Sequence, residues 1–543
     1  MLRRKFIQGT TLSGLFSLVS FSSCAKAEQQ IEKTGQGKTI IPPFELEEIT
    51  VSELQAGMVL GKYTAKSITE MYLERIASID TSGPKLNSVI ETNPDALAIA
   101  EEMDKERSEG KVRGPLHGIP IMIKDNIDTG DKMQTTAGAL ALEGSKAKQD
   151  AFIVEKLREA GAVLIGKTNL SEWANFRSTR SSSGWSGRGR QTRNPYILDR
   201  NPCGSSAGSG AAVSANLCAI TIGTETNGSV VCPSSTNGIV GIKPTVGLWS
   251  RSGIIPISHT QDTAGPMCRT VADAATLLGP LTGIDSRDEI TKNSEGKMHT
   301  DYTQFLILDG LKGKRLGVLR STMGFHEKVD EIMENTFEIM RKNGAEIIDP
   351  VEIKTSKEYG DSGFQVLLYE FKDGVNKYLA QLGETAPVKT LEEVIEFNKA
   401  NAGESMSYFQ QEILEMAAEK GDLDSSEYKE ALAKILRLSR EEGIDATLAA
   451  HNLDAILAPT GGPAWPIDVI NGDHFGGGSS SPAARAGYPN ITVPAGYING
   501  LPVGISIFST AYREPELIGM AYAFEQASKV RKAPQFLPTL EMV

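Results

Sequence analysis

The chain has 543 residues, of which 40% are hydrophobic and 23% charged, so it can bury a large core. A net charge of −12 gives no basic footprint for nucleic acid. The five cysteines lack zinc-ligand pairing and indicate neither a disulfide framework nor a metal site.

Taken in chain order, Arg3-Arg4-Lys5 precedes an apolar stretch from Leu12 to Phe21 that is too short for a stop-transfer helix. Residues 1–23 therefore read as a bacterial export signal, and Arg3 to Ile7 is similar to a twin-arginine signal. Phe21-Ser-Ser-Cys24 resembles a lipoprotein cleavage site with Cys24 as the lipidated residue, whereas Ala25-Lys-Ala27 offers ordinary small-residue cleavage. The expected location is periplasmic or lipid-anchored at the membrane. Residues 24–44 are polar and punctuated by glycine and proline, which suits a tether.

A folded domain is expected over 45–543. Thr50-x-x-Glu53 predicts a helix-capping box, and Met71, Tyr72, Ile76 and Ile79 make one apolar helical face. Ile119 to Ile123 has the branched, apolar character of a buried strand, ending on Lys124. Ala151 to Ala160 predicts a helix stopped by Gly161, and Ala162 to Ile165 a strand. Alternation resumes in Arg315–Leu319, the helix Glu327 to Lys342, and Ala345–Ile348. This order argues for an α/β sheet covered by helices. Residues 353–445, rich in Glu, Lys, Ala and Leu, interrupt it as a helical insertion, either a cap over a pocket or a solvated helical layer. Strands return at Leu453–Leu457, Ile491–Val493 and Pro502–Ile507, followed by a helix near Glu514 to Val530. With no internal repeat, one domain is expected.

Two serine-bearing glycine turns carry the chemistry. Asn201-Pro-Cys-Gly-Ser-Ser-Ala-Gly-Ser-Gly210 leads into a helix-compatible run. Gly223-Thr-Glu-Thr-Asn-Gly-Ser229 follows the β-like run Ala219 to Ile222 and can aim several N–H groups at one point. Amide hydrolysis needs a nucleophile, a proton acceptor, a donor for the leaving nitrogen and N–H groups for the oxyanion. Ser229 can attack, Ser205 relay and Lys124 act as base. Lys124 must then be neutral near pH 7, and burial lowers a lysine from about 10.4 by penalising its ammonium form.

These residues resemble the amidase signature family of serine hydrolases. Gly114 to Asn126 is similar to its lysine segment, Cys203 to Gly210 to its glycine-serine segment, and Gly223 to Pro233 to its nucleophile segment. Gly238–Thr245, Gln261–Pro266 and Leu501–Ile505 extend the resemblance from about Thr50 to the C-terminus. It implies a single domain with a large mixed, twisted sheet covered by helices on both faces. It also implies an acyl-enzyme on Ser229, a bridging Ser205 after a cis Gly204–Ser205 peptide, Lys124 as base, and an oxyanion hole from the amides of Thr226, Asn227, Gly228 and Ser229. No metal or cofactor is implied, and the substrate is a small-molecule or peptide amide. Among the branches, bacterial peptide amidases are the most similar; aryl, fatty and other small amides stay open. The transfer-RNA-linked branch fits poorly with an exported chain. Asn227 departs from a common glycine and bears on substrate preference, and Ala207 departs from another.

Other patterns compete for the same residues. Gly204-Ser-Ser-Ala-Gly208 satisfies the nucleophile elbow of an α/β-hydrolase-like esterase, with Ser206 attacking and His451 or His474 as base, but it uses neither Lys124 nor Ser229. Gly161-Ala-Val-Leu-Ile-Gly-Lys-Thr168 matches the phosphate-loop expression, yet a helix precedes it where a strand is required. His117 reads as a turn residue. A non-catalytic, lipid-tethered binding protein on the same fold is a further alternative.

Overall fold

The computed structural model describes residues 41–383 and 386–541. The expected export signal, Cys24 and the tether as far as residue 40 lie outside the described residues. Ordered packing is under way by Phe44, whose ring lies 5.6 Å from that of Tyr72. Thr50 caps the helix Val51–Val59 through the expected box with Glu53.

The apolar, β-branched runs become strands β1 (Val89–Thr92), β2 (Pro120–Lys124), β3 (Val163–Thr168), β4 (Trp185–Ser186), β5 (Arg190–Gln191) and β6 (Ile220–Glu225). They continue as β7 (Val240–Lys243), β8 (Thr263–Cys268), β9 (Arg315–Leu319), β10 (Glu346–Val351), β11 (Ala455–Pro459), β12 (Asn490–Ile498) and β13 (Leu501–Phe508). Strands β4 and β5 pair only with each other; the other strands form one 11-stranded sheet in the order β1-β3-β2-β6-β8-β7-β12-β13-β11-β9-β10. The sheet is mixed, as expected. Every residue of β2, β3, β6, β7, β8, β11 and β13 is buried, which a sheet achieves only when both faces are covered.

The centre of the sheet sets the site. Strand β2 lies between β3 and β6 and runs parallel to both, with Ile123 opposite Lys167 on one side and Ile222 on the other. Parallel strands present their carboxyl ends along one edge, where open α/β sheets place ligands. Lys124 ends β2 there, and β6 runs there into the Thr226 to Ser229 turn. The strands reach further than sequence suggests at β3 and β12. Strand β12 is extended by its hairpin with β13, whose turn puts Asn499 and Gly500 at φ 50° and 84°, values a two-residue hairpin of this kind requires.

Between residues 353 and 445 lie the helices Gly360–Leu382, Leu391–Ala400, Ala402–Ser405, Glu412–Ala418 and Ser426–Ser439. The first of them packs Leu367, Leu368 and Phe371 against Trp173 and Phe176 in an apolar cluster separate from the sheet's core. The ring centroids of Phe176 and Phe371 are 5.0 Å apart.

Candidate active site

Lys124 is fully buried. Its Nζ donates to Ser205 Oγ at 2.8 Å, to Thr224 Oγ1 at 2.8 Å and to the Thr224 carbonyl at 3.3 Å. Burial pulls its pKa down to about 7, against the opposing charges of Asp262 and Glu225. Asn126 Nδ2 also donates to Thr224 Oγ1, at 3.1 Å, so this hydroxyl joins the lysine and the asparagine two residues after it.

Ser205 follows a cis Gly204–Ser205 peptide, as the resemblance implied. Its carbonyl accepts from the Ser171 N–H at 3.0 Å, and a Cβ on Gly204 would lie 2.3 Å from Ser171 Oγ, so a larger residue there would displace that hydroxyl. The Ser206 N–H donates to the Ser229 carbonyl at 3.2 Å and so ties one serine turn to the other. The helix Ala207–Ser214 begins immediately afterwards, and Ala207 opens it without difficulty.

The second turn is organised from both ends. Thr226 Oγ1 donates to Asp262 at 2.5 Å, and Asp262 also accepts the N–H groups of Ile257 and Ser258, each at 2.8 Å. Burial raises Asp262 to about 6 despite these bonds. At the far end, Glu225 accepts from the N–H groups of Val230 and Val231 at 2.8 and 3.1 Å, which caps the helix Val231–Thr236. Among the described residues, the backbone N–H groups of Asn227, Gly228 and Ser229 donate to no other group. Gly228 has φ 88°, a left-handed value that glycine adopts without cost.

A cavity of about 500 Å³ opens over Ser205 and Ser229. Its walls include Phe176, Val231, Leu367, Trp465 and Phe475, so the helix Gly360–Leu382 contributes a side chain to it. A neighbouring cavity of about 650 Å³ reaches Asn126 and Thr224 and shares Ala174, Thr226 and Ile257 with the first.

Two sequence readings are corrected here. Cys203 and Cys232 form a disulfide, where none was expected; they are 29 residues apart, a separation no spacing rule singles out, and only the meeting of the two turns joins them. Asn227 lines the cavity, and its side chain is held there: its Oδ1 accepts from Ser480 at 2.7 Å and its Nδ2 donates to Ser481 at 3.1 Å. The elbow serine is committed elsewhere, since Ser206 Oγ donates to the Thr224 carbonyl at 3.0 Å and accepts the Thr224 N–H at 3.1 Å. Neither histidine of that reading meets Ser206. His474 is exposed and 3.2 Å from Asp468, and His451 is exposed at a helix end.

The phosphate-loop expression fails as anticipated, because its Val163 to Thr168 portion is strand β3. Lys167 is buried there and donates to the carbonyls of Ile127 and Gln134 and to Thr135 Oγ1. His117 is buried as well, with Nε2 2.9 Å from the Met103 carbonyl. Sequence reasoning missed Thr224, Asn126 and Asp262. A threonine next to Glu225 at the end of a buried strand was the available signal for the first, and a carboxylate just before β8 for the last.

The fold and site define an amide-hydrolysing enzyme. A family model described as Amidase matches residues 67–518, and the chain belongs to the amidase signature family. It is 43% identical over 503 residues to a probable amidase of Arabidopsis thaliana, covering 91% of this chain and 93% of the relative. The structure of native peptide amidase from Stenotrophomonas maltophilia is 49% identical, with a TM-score of 0.87 and coverage of 91% of this chain and 100% of that one. A peptide amidase in complex with the competitive inhibitor chymostatin is 50% identical, with a TM-score of 0.88 and coverage of 90% and 100%.

Proposed function

We propose that the enzyme removes the terminal amide of peptides through an acyl-enzyme on Ser229, releasing ammonia and a free carboxylate. Ser229 Oγ attacks the amide carbon and passes its proton to Ser205 Oγ, whose own proton moves to Lys124 Nζ. The amides of Thr226, Asn227, Gly228 and Ser229 hold the oxyanion, each such donor contributing roughly 3–4 kcal/mol to the transition state. The C–N bond then breaks, and the proton on Lys124 returns through Ser205 to the leaving nitrogen. Water attacks the ester and passes a proton through Ser205 to Lys124; that proton then returns through Ser205 to Ser229 Oγ as the C–O bond to it breaks, which frees the acid and restores the neutral lysine. The scheme needs no metal or cofactor.

One observation carries the reading: a fully buried lysine, held near neutrality at about 7, lies 2.8 Å from the bridging serine. The peptide preference is supported by the two peptide amidase structures and by a cavity that sets apolar side chains such as Trp465 and Phe475 beside polar ones such as Thr179 and Asn471, a mixture that suits a peptide. The test is ammonia release from a panel of peptide, aryl and fatty amides by the wild type, Ser229→Ala, Ser205→Ala and Lys124→Ala. A fluorophosphonate adduct on Ser229 is expected by mass spectrometry, and an adduct on Ser206 would overturn the assignment.

Export to an oxidising compartment belongs to the same proposal, and the Cys203–Cys232 disulfide supports it, since such bonds persist there. Palmitate labelling lost in Cys24→Ala is the expected result for a lipid anchor. Absence of label in the wild type removes the anchor.

A further inference from the structure

The Cys203–Cys232 disulfide spans the two serine turns on their cavity side. Cys203 immediately precedes Gly204-Ser205, and Cys232 lies in the first turn of the helix that follows Ser229, where its N–H donates to the Gly228 carbonyl at 2.8 Å. Their Cα atoms are 6.1 Å apart, and both side chains pack against Trp465. Cys203 is fixed from its other side too. Its N–H donates to Asn201 Oδ1 at 2.8 Å, and Asn201 Nδ2 donates to Asp473 at 3.1 Å.

Hydrogen bonds also join the same two segments of chain. Ser206 N–H reaches the Ser229 carbonyl, while Thr236 Oγ1 and Asn237 Nδ2 both donate to the Pro202 carbonyl, at 2.7 and 2.8 Å. Proton transfer from Ser229 to Ser205 depends on the distance between two hydroxyls carried by separate turns, and an error of about 1 Å in such a placement costs on the order of 10²-fold in rate. The disulfide links those turns covalently on the side where the hydroxyls meet substrate.

We infer that Cys203 and Cys232 are positioning residues for catalysis: their disulfide sets the Ser205–Ser229 relay, and opening it from the cavity slows acylation while leaving the fold in place. This rests on the proposed Ser229 mechanism. The chemistry is thiol–disulfide exchange. A small dithiol such as dithiothreitol supplies two electrons and two protons, the S–S bond breaks to give two thiols, and the reagent closes to its own cyclic disulfide. Oxidised glutathione drives the reverse step by accepting those electrons and protons. The remaining described cysteines, Cys218 and Cys268, are buried and have their thiols pushed up by burial, so thiolate chemistry concentrates on the pair in the cavity.

The test uses the full-length enzyme and a peptide amide. Treatment with dithiothreitol, with mass spectrometry confirming that Cys203 and Cys232 have become free thiols, is expected to lower kcat about tenfold. KM should change less than threefold, the far-UV circular dichroism should be unchanged, and oxidised glutathione should restore the rate. Cys203→Ser/Cys232→Ser should show the lowered kcat and no response to either reagent. Full kcat in the reduced wild type overturns the inference, as do free thiols at both positions in enzyme that was never reduced. Loss of far-UV signal together with activity also overturns it, since the disulfide then serves the fold. Ser229→Ala, assayed alongside, separates the two readings: if it is active the mechanism falls, and if it is inactive while reduction has no effect only the disulfide's role falls.

Discussion

Lys124 and Lys167 stand on neighbouring parallel strands, both fully buried, with their residues one step out of register across the pair. Burial lowers the pKa of each. They differ in what they touch. Lys167 donates to two backbone carbonyls and one hydroxyl, beside the carboxylates of Asp125 and Asp128, which oppose the lowering. Carbonyls only accept, so this pocket is built for an ammonium. Lys124 meets two hydroxyls at 2.8 Å, those of Ser205 and Thr224, and one carbonyl at the longer distance of 3.3 Å, and a hydroxyl can turn round and donate to a neutral amine. Burial makes a lysine ready to lose its proton; partners that can reverse a hydrogen bond let it do so as part of a reaction.

The largest effect that tests this contrast is Lys124→Ala, expected to lower kcat/KM by roughly 10⁴-fold in ammonia release, the upper range for loss of a general base. Lys167→Ala should do the opposite, keeping kcat close to wild type in the cold while losing on the order of 3–5 kcal/mol of stability in denaturant unfolding, because it strands buried acceptors and carboxylates. A stable but inactive Lys167→Ala would break the comparison. Thr224→Val removes one reversible partner and should cost about tenfold in kcat, the worth of one hydrogen bond of about 1.4 kcal/mol.

The pH profile sharpens the contrast further. Lys124 must lose its proton to act, so kcat/KM should rise as pH passes through about 7 and level off above it. The Asp262 charge raises the lysine's pKa, so Asp262→Asn should move that limb to lower pH. A limb that stays put or moves to higher pH would contradict this coupling. The smallest effect belongs to Asn227→Ala, which frees Ser480 and Ser481 and should raise KM about two- to fivefold, the scale of one neutral hydrogen bond.

How much of this was legible in the sequence follows from where each determinant lies along the chain. Lys124 could be read because an apolar strand leads straight to it, and Ser205 and Ser229 because each stands in a glycine turn, the first leading into a helix and the second following a strand. The sheet was legible as a class, since buried strands carry continuous β-branched runs. Its strand order was not, because β12 and β13 insert between β7 and β11 through contacts remote in sequence. The disulfide, the Asp262 hold on Thr226 and the Ser480–Asn227 bond join residues from separate segments. No local pattern encodes such meetings. Ser206 shows the opposite failure: its surrounding pattern was clear, and a bond to the neighbouring strand gives that serine a structural task.

The helix Gly360–Leu382 has its own apolar cluster with Trp173 and Phe176 and lends Leu367 to the cavity, whereas the lysine and both serines belong to the sheet and its turns. In the proposed mechanism the reacting groups thus sit on the sheet and its turns, while the cavity's walls are drawn from both layers. A substitution at Leu367 therefore alters the cavity's wall from a layer that carries none of the proposed reacting groups.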